Sequence, residues 1–225
     1  MEAEGALKSC RAVIVPMGAA AKEHGPHLPL SNDWLMVEYF KNVLLEQIDD
    51  LVFAPTVNYN YYPAFVEYPG STSLRFEVAR DFTVDICTSL AQFGPRKFYA
   101  LNNGVSTLSP LEKAAEILAA QDILLRYSVL DKFLENILPE PVEGGHADEV
   151  ETSIMLFAVP EVVDMTKVVR DFTPGPGRLT RNPDSKEGVY SPSGIWGDPT
   201  RATRQKGKVF VAAIIEGLRR EIEAF

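Results

Sequence analysis

Residues 12–34, AVIVPMGAAAKEHGPHLPLSNDW, decide how this chain is read. The run opens on AVIVPM, an unbroken apolar segment rich in β-branched side chains, as expected of a strand buried on both faces. Gly18 ends it, and a dense polar loop follows, Lys22-Glu23-His24-Gly25-Pro26-His27. Asn32 and Asp33 then open a helical pattern to about residue 48, with Leu35, Val37, Phe40, Val43 and Leu44 recurring on one side. Strand, polar loop and helix in that order form half of a parallel βαβ unit.

Working outward, the spacing predicts a strand over 51–57, a helix over 76–93, a strand over 97–101 and a helix over 110–120. A strand over 122–129 and helices over 149–159 and 203–225 complete the pattern. Residues 58–72 read as a long aromatic loop. Residues 173–201, rich in proline and glycine, read as a surface excursion that can act as a lid. The alternation implies an α/β fold: a three-layer sandwich whose mostly parallel central sheet is covered by helices on both faces. We expect one domain spanning 1–225. Sites in such sheets form beyond the carboxyl ends of the strands, so the loops after Met17 and Leu101 are the first candidates for chemistry.

The chain has 225 residues, 46% apolar and 24% charged, with a net charge of −9. That acidity disfavours nucleic acid and anionic membrane as partners. The lack of a signal core or a bilayer-length apolar run leads us to expect a cytoplasmic protein. Cys87 falls among Phe76, Ala79, Phe82, Ile86, Leu90 and Phe93, spaced to fill one helix face, and is expected to be a core residue.

All three histidines sit in polar clusters. His24 and His27 share the first loop with Glu23 and precede Asp33. His146 opens His146-Ala147-Asp148-Glu149-Val150-Glu151-Thr152-Ser153, just before a helix. Imidazole and carboxylate together suit a divalent ion such as zinc or manganese, although Asp148 can equally be a helix cap. Ser106 and Thr107 fit a cap better than a nucleophile, since no G-x-S-x-G elbow surrounds them. The aromatic loop, with Tyr59, Tyr61, Tyr62, Phe65 and Tyr68, suits a pocket wall or a subunit contact, the contact slightly the better fit. Trp196 is a candidate to close over the site or to anchor its loop.

Four ordered segments resemble the creatininase family. VPMGAAAKEHGPHLPLSNDW (15–34) is similar to its P-x-G-x-x-E-Q-H-G-P-H-L-P-x-x-T-D loop, and YPGSTSL (68–74) to F-P-G-T-x-S-L. HADEVETS (146–153) is similar to H-A-G-E-x-E-T-S, and GIWGDPTRATRQKG (194–207) to the closing G-x-x-G-D-P-x-x-A-T-x-x-K-G. The resemblance implies a hydrolase of C–N bonds in small cyclic or linear amides, a two-metal centre and a homo-oligomer, commonly a hexamer. It carries metal ligation onto His24, Asp33 and Glu149, and places His146 beside the substrate.

Two departures alter the expectation. Val105 stands where the family has a ligand histidine, and Lys22 stands at its first ligand glutamate. Both losses fall on the same metal position, a space that the Lys22 ammonium can fill. We therefore expect one divalent ion, zinc or manganese, on His24, Asp33 and Glu149, with Glu23 or His146 as a fourth ligand. Glu23, His146 and Glu151 are candidates to move protons, with Lys22 supplying charge and Tyr62, Ser106 and Trp196 contacting a small-molecule amide. The competing expectation is a metal-poor family member that binds a ligand or partner without turnover.

Overall fold

A computed structural model describes residues 2–138, 144–175 and 178–225. Residues 176 and 177 of the Pro/Gly-rich excursion lie outside the described residues. The elements run α1 (Glu2–Ser9), β1 (Ala12–Met17), α2 (Asn32–Gln47), β2 (Leu51–Phe53), α3 (Phe76–Ala91), β3 (Lys97–Asn102), α4 (Leu108–Ala119) and β4 (Leu124–Tyr127). They continue with β5 (Gly144–His146), α5 (Glu149–Ala158), β6 (Leu179–Thr180), β7 (Val189–Tyr190), β8 (Trp196–Gly197) and α6 (Arg204–Glu223).

The central sheet is wholly parallel, in the order β2-β1-β3-β4. Because side chains alternate along a strand, β1 feeds two cores. Ala12 and Ile14 join Tyr99 and Leu101 against α2, α5 and α6. Val13, Val15 and Met17 join Phe98 and Ala100 against α3 and α4. This is the expected three-layer α/β sandwich. It explains why β1, buried at all six positions, carries no polar side chain.

Some boundaries move for identifiable reasons. Strand β2 stops at Phe53, ahead of Pro55, which has no N–H to donate; Val57 then returns to the sheet through a bridge to Met17. Strand β4 begins only after Asp122, whose φ of 57° turns the chain. On α3 the buried face is Ala79, Thr83, Cys87 and Ala91, whereas Phe82 is exposed. The larger apolar residues of that helix instead flank an open groove of about 860 Å³ beside Tyr59. The excursion is not structureless: β8 pairs antiparallel with β5, placing Trp196 opposite His146. Among the described residues, no helix is long and apolar enough to cross a membrane.

Helices α5 and α6 pack so closely that a Cβ on Gly207 would lie 1.8 Å from the Ser153 carbonyl oxygen. Gly207→Ala must push the helices apart, and we expect it to cost about 1–3 kcal/mol by urea denaturation. A variant as stable as the parent would mean that the helices cross less closely.

Candidate functional site

The loop after β1 is folded back on itself by main-chain bonds, Lys22 to the Leu30 carbonyl and Trp34 to the Ala19 carbonyl. Gly25, at φ 74°, makes the turn against Ile195 where a side chain would collide. Asp33, in the first turn of α2, is thereby brought beside His24, and both are fully buried. Their contact is His24 Nε2 to Asp33 Oδ1 at 2.8 Å, while His24 Nδ1 lies 2.8 Å from the Lys22 carbonyl oxygen. The Lys22 ammonium sits 2.5 Å from Asp33 Oδ2. It also lies 5.0 Å from the centre of the Phe65 ring and 5.6 Å from that of Tyr62.

The second half comes from β5 and α5. Asp148 caps α5, accepting from the main-chain N–H groups of Val150 and Glu151. Ala147 is left-handed, at φ 49°, and donates its N–H to Glu151 Oε2 at 2.6 Å. This turns the Glu151 carboxyl back toward His146, whose Nδ1 is 3.8 Å away. His146 Nε2 lies 2.7 Å from the Glu23 carbonyl oxygen, and its ring is held between those of His24 and Phe65.

Protonation follows from these partners. A carbonyl oxygen only accepts, so His146 donates from Nε2, whereas His24 lies between two acceptors, the Lys22 carbonyl at Nδ1 and Asp33 at Nε2. His146 Nδ1 is then left as a bare lone pair. On His24, a neutral ring has only one proton for the two. Burial pushes both imidazoles below their ordinary pKa, which opposes a second proton. Desolvation would raise the Asp33 carboxyl, but the pull of Lys22 and His24 outweighs it and holds Asp33 well below the carboxylate range. Burial, and then the charge of Asp33, lift Glu151 to about 8.

Ligand atoms of His24, His146 and Glu151 all lie within 4.8 Å of one another. Imidazoles fixed by carbonyl acceptors are the usual companions of a bound metal. Two nitrogens and an oxygen also suit a borderline divalent ion. These residues fit one.

The cluster opens into a cavity of about 430 Å³, whose walls include Lys22, Tyr62, Ser106, His146, Glu151 and Trp196. Six residues expected at the site thus meet around one space. Asp33 and His24 are fully buried behind Lys22 and His146, which line it. Glu149 does not join them: its carboxylate pairs with Lys206 at 2.5 Å and Arg201 at 3.3 Å, on the α6 side. The reason is helical geometry, since residues two apart on α5 face in nearly opposite directions and only Glu151 turns inward. Glu23 supplies its main-chain carbonyl to His146, while its side chain packs beside Gly194 rather than on the cavity.

Thr107 stands at the α4 N-cap without capping it, donating instead to Asn102 Oδ1 and the Gly104 carbonyl. Val105 is 68% exposed at the cavity rim. The aromatic loop divides: Tyr62 and Phe65 wall the cavity, whereas Tyr59 faces out. Trp196 is anchored through Nε1–H to the Thr173 carbonyl at 3.0 Å. Leu134 and Asp131 also line the cavity; they come from a 3-10 turn after β4, and no local pattern pointed to them.

The family model described as creatinine amidohydrolase matches residues 1–222. The chain belongs to the creatininase family. It is 29% identical over 212 residues to a mycofactocin precursor peptide peptidase of Mycolicibacterium smegmatis, covering 91% of this chain and 81% of that protein. It is 28% identical over 242 residues to a 3-dehydro-scyllo-inosose hydrolase of Thermotoga maritima, covering 95% of this chain and 77% of that one. Among solved structures, a creatininase variant of Zn-Zn type matches with a TM-score of 0.77 at 25% identity, over 99% of this chain and 93% of that one. The members named here are hydrolases, and the solved one is of Zn-Zn type.

His27 ties the loop to α5 through Nε2 and Thr152 Oγ1 at 2.8 Å, and burial pushes its pKa down to about 4. Folded His27 stays neutral where the unfolded chain takes up a proton, so its contribution to stability is lost as pH falls from about 6.5 to about 4. Asp148, lifted by burial to about 6, tilts part of that window the opposite way. The comparison must therefore be wild type against His27→Gln. Urea midpoints should show wild type losing on the order of 3 kcal/mol more than the variant over that range. Parallel pH profiles would contradict it.

Proposed function

We propose that this creatininase-family protein hydrolyses a C–N bond of a small cyclic or linear amide at one divalent ion, zinc or manganese. In this reading His24, His146 and Glu151 hold the ion. The supporting observation is the pair of buried imidazoles: each meets a main-chain carbonyl through one ring nitrogen, and ligand atoms of the two rings cluster with the Glu151 carboxyl. Such an ion would acidify a bound water and polarise the scissile carbonyl.

The chain's own groups do the rest. The Glu23 carbonyl keeps the His146 ring in one tautomer. Glu151 Oε2 is tied to the Ala147 N–H, leaving Oε1 to meet the ion or carry a proton. Lys22 adds a positive edge to the cavity, and Tyr62, Phe65 and Trp196 exclude bulk water from an amide lying between them. The apolar groove beside Tyr59 and Phe82 suits a homo-oligomer contact. Substrate identity follows from the cavity only as a class: small, with apolar surface for the aromatic walls.

The buried Lys22–Asp33 pair favours a second reading, a metal-free site that binds without turnover. Elemental analysis of protein purified without chelator separates the two. The first reading requires about one zinc or manganese per chain, lost in His24→Ala and in Glu151→Gln. No metal, even after reconstitution, would leave the second. The activity screen should pair small amides with ring ketones, because a dehydro-inosose, the substrate in one relative's name, is a ring ketone.

A further inference from the structure

Lys22 is the one buried lysine among the described residues, 5% exposed, with its ammonium 2.5 Å from Asp33 Oδ2. Ammonium and carboxylate are both sequestered from water, so the pair is a buried ion pair. The faces of Phe65 and Tyr62 complete its surroundings, a cage that suits a cation. Asp33 Oδ1 meanwhile meets His24 Nε2, so a carboxylate and an imidazole converge beside the position that the ammonium fills. No carboxylate or imidazole reaches it from the loop after β3, where Val105 faces solvent and Asn103 turns its amide to the Asp33 carbonyl.

We infer that Lys22 is a tethered cation. Its ammonium occupies a second cation position of the centre, at Asp33, and thereby limits the site to one divalent ion where it would otherwise take two. A covalently attached charge has no dissociation constant, so Asp33 stays neutralised at any metal concentration. A chelator can empty the position beside His146 and Glu151 but not the position at Asp33. The cavity also keeps a positive edge with or without metal. This inference rests on the proposed metal-binding reading for the first ion only.

Zinc content measured after reconstitution and desalting tests it, on the full chain and on Lys22→Glu. If wild type holds n zinc per chain, Lys22→Glu is expected to hold n plus one, because a second carboxylate then joins that of Asp33 around a vacated cation position. The value of n tests the proposed function, whereas the increment tests the role of Lys22. An equal count in a folded Lys22→Glu protein overturns the inference.

Lys22→Met decides the matter if Lys22→Glu does not fold. It keeps the apolar stem and leaves Asp33 bare, so its melting temperature without metal should fall below that of wild type. Zinc should then raise its melting temperature by more than it raises that of wild type. Equal zinc-induced shifts in the two proteins would show that the ammonium and the metal do not share a position, and would likewise overturn the inference.

Discussion

A carboxylate with no access to water sits at the centre of this structure. Asp33 is fully buried, and an ionised group in that position is tolerable only if countercharge and hydrogen bonds replace its hydration. Lys22 and His24 supply them from the preceding loop, which curls back over the start of α2. Gly18 permits the approach: a Cβ there would lie 2.4 Å from the Asp33 carbonyl oxygen. Asn103, after β3, donates to the same carbonyl. The carboxyl ends of the two central strands are thus pinned to one residue. Its place in the first turn of α2 adds the favourable end of a helix dipole.

The other half of the site depends on a short antiparallel contact outside the main sheet. Gly144, at φ 94°, lies so close to the Trp196 carbonyl that any side chain would collide with it, and this contact sets β5 against β8. The pairing carries His146 and Trp196 together. The Glu23 carbonyl then fixes the His146 ring, so the two halves meet through a main-chain acceptor as well as through the His27–Thr152 side-chain pair. Since the carbonyl belongs to the loop that also holds Lys22 and His24, a shift in that loop would disturb both imidazoles at once.

Membership of the creatininase family accommodates this arrangement without dictating the substrate. The relatives named above include a peptide peptidase and an inosose hydrolase, so the scaffold serves more than one small-molecule class. Differences in such a fold belong to loops at the strand ends, where the backbone is free to vary while the sheet is not. Here those loops present an ammonium and an exposed valine to the cavity, giving it an electrostatic floor unlike one built only of carboxylates and imidazoles.

Sequence alone determined the layers. An apolar β-branched run such as 12–17 is stable only inside a covered sheet, and the 3.6-residue recurrence in α2 put Val37, Phe40 and Leu44 on its buried face. It also marked the two histidine clusters, because residues of that chemistry are costly to collect without a use. Lys22 was legible too, as a cation opposite Asp33 nine residues beyond His24. Tertiary structure decided which carboxylate turns inward. Glu149 and Glu151 are equivalent in composition, but the left-handed Ala147 and the Asp148 cap rotate α5 so that Glu151 meets His146 while Glu149 pairs with Lys206. The direction of the Glu23 side chain, the strand pairing that brings in Trp196, and the wall from Leu134 and Asp131 are likewise non-local. They follow from contacts between segments distant in the chain, which no local periodicity records.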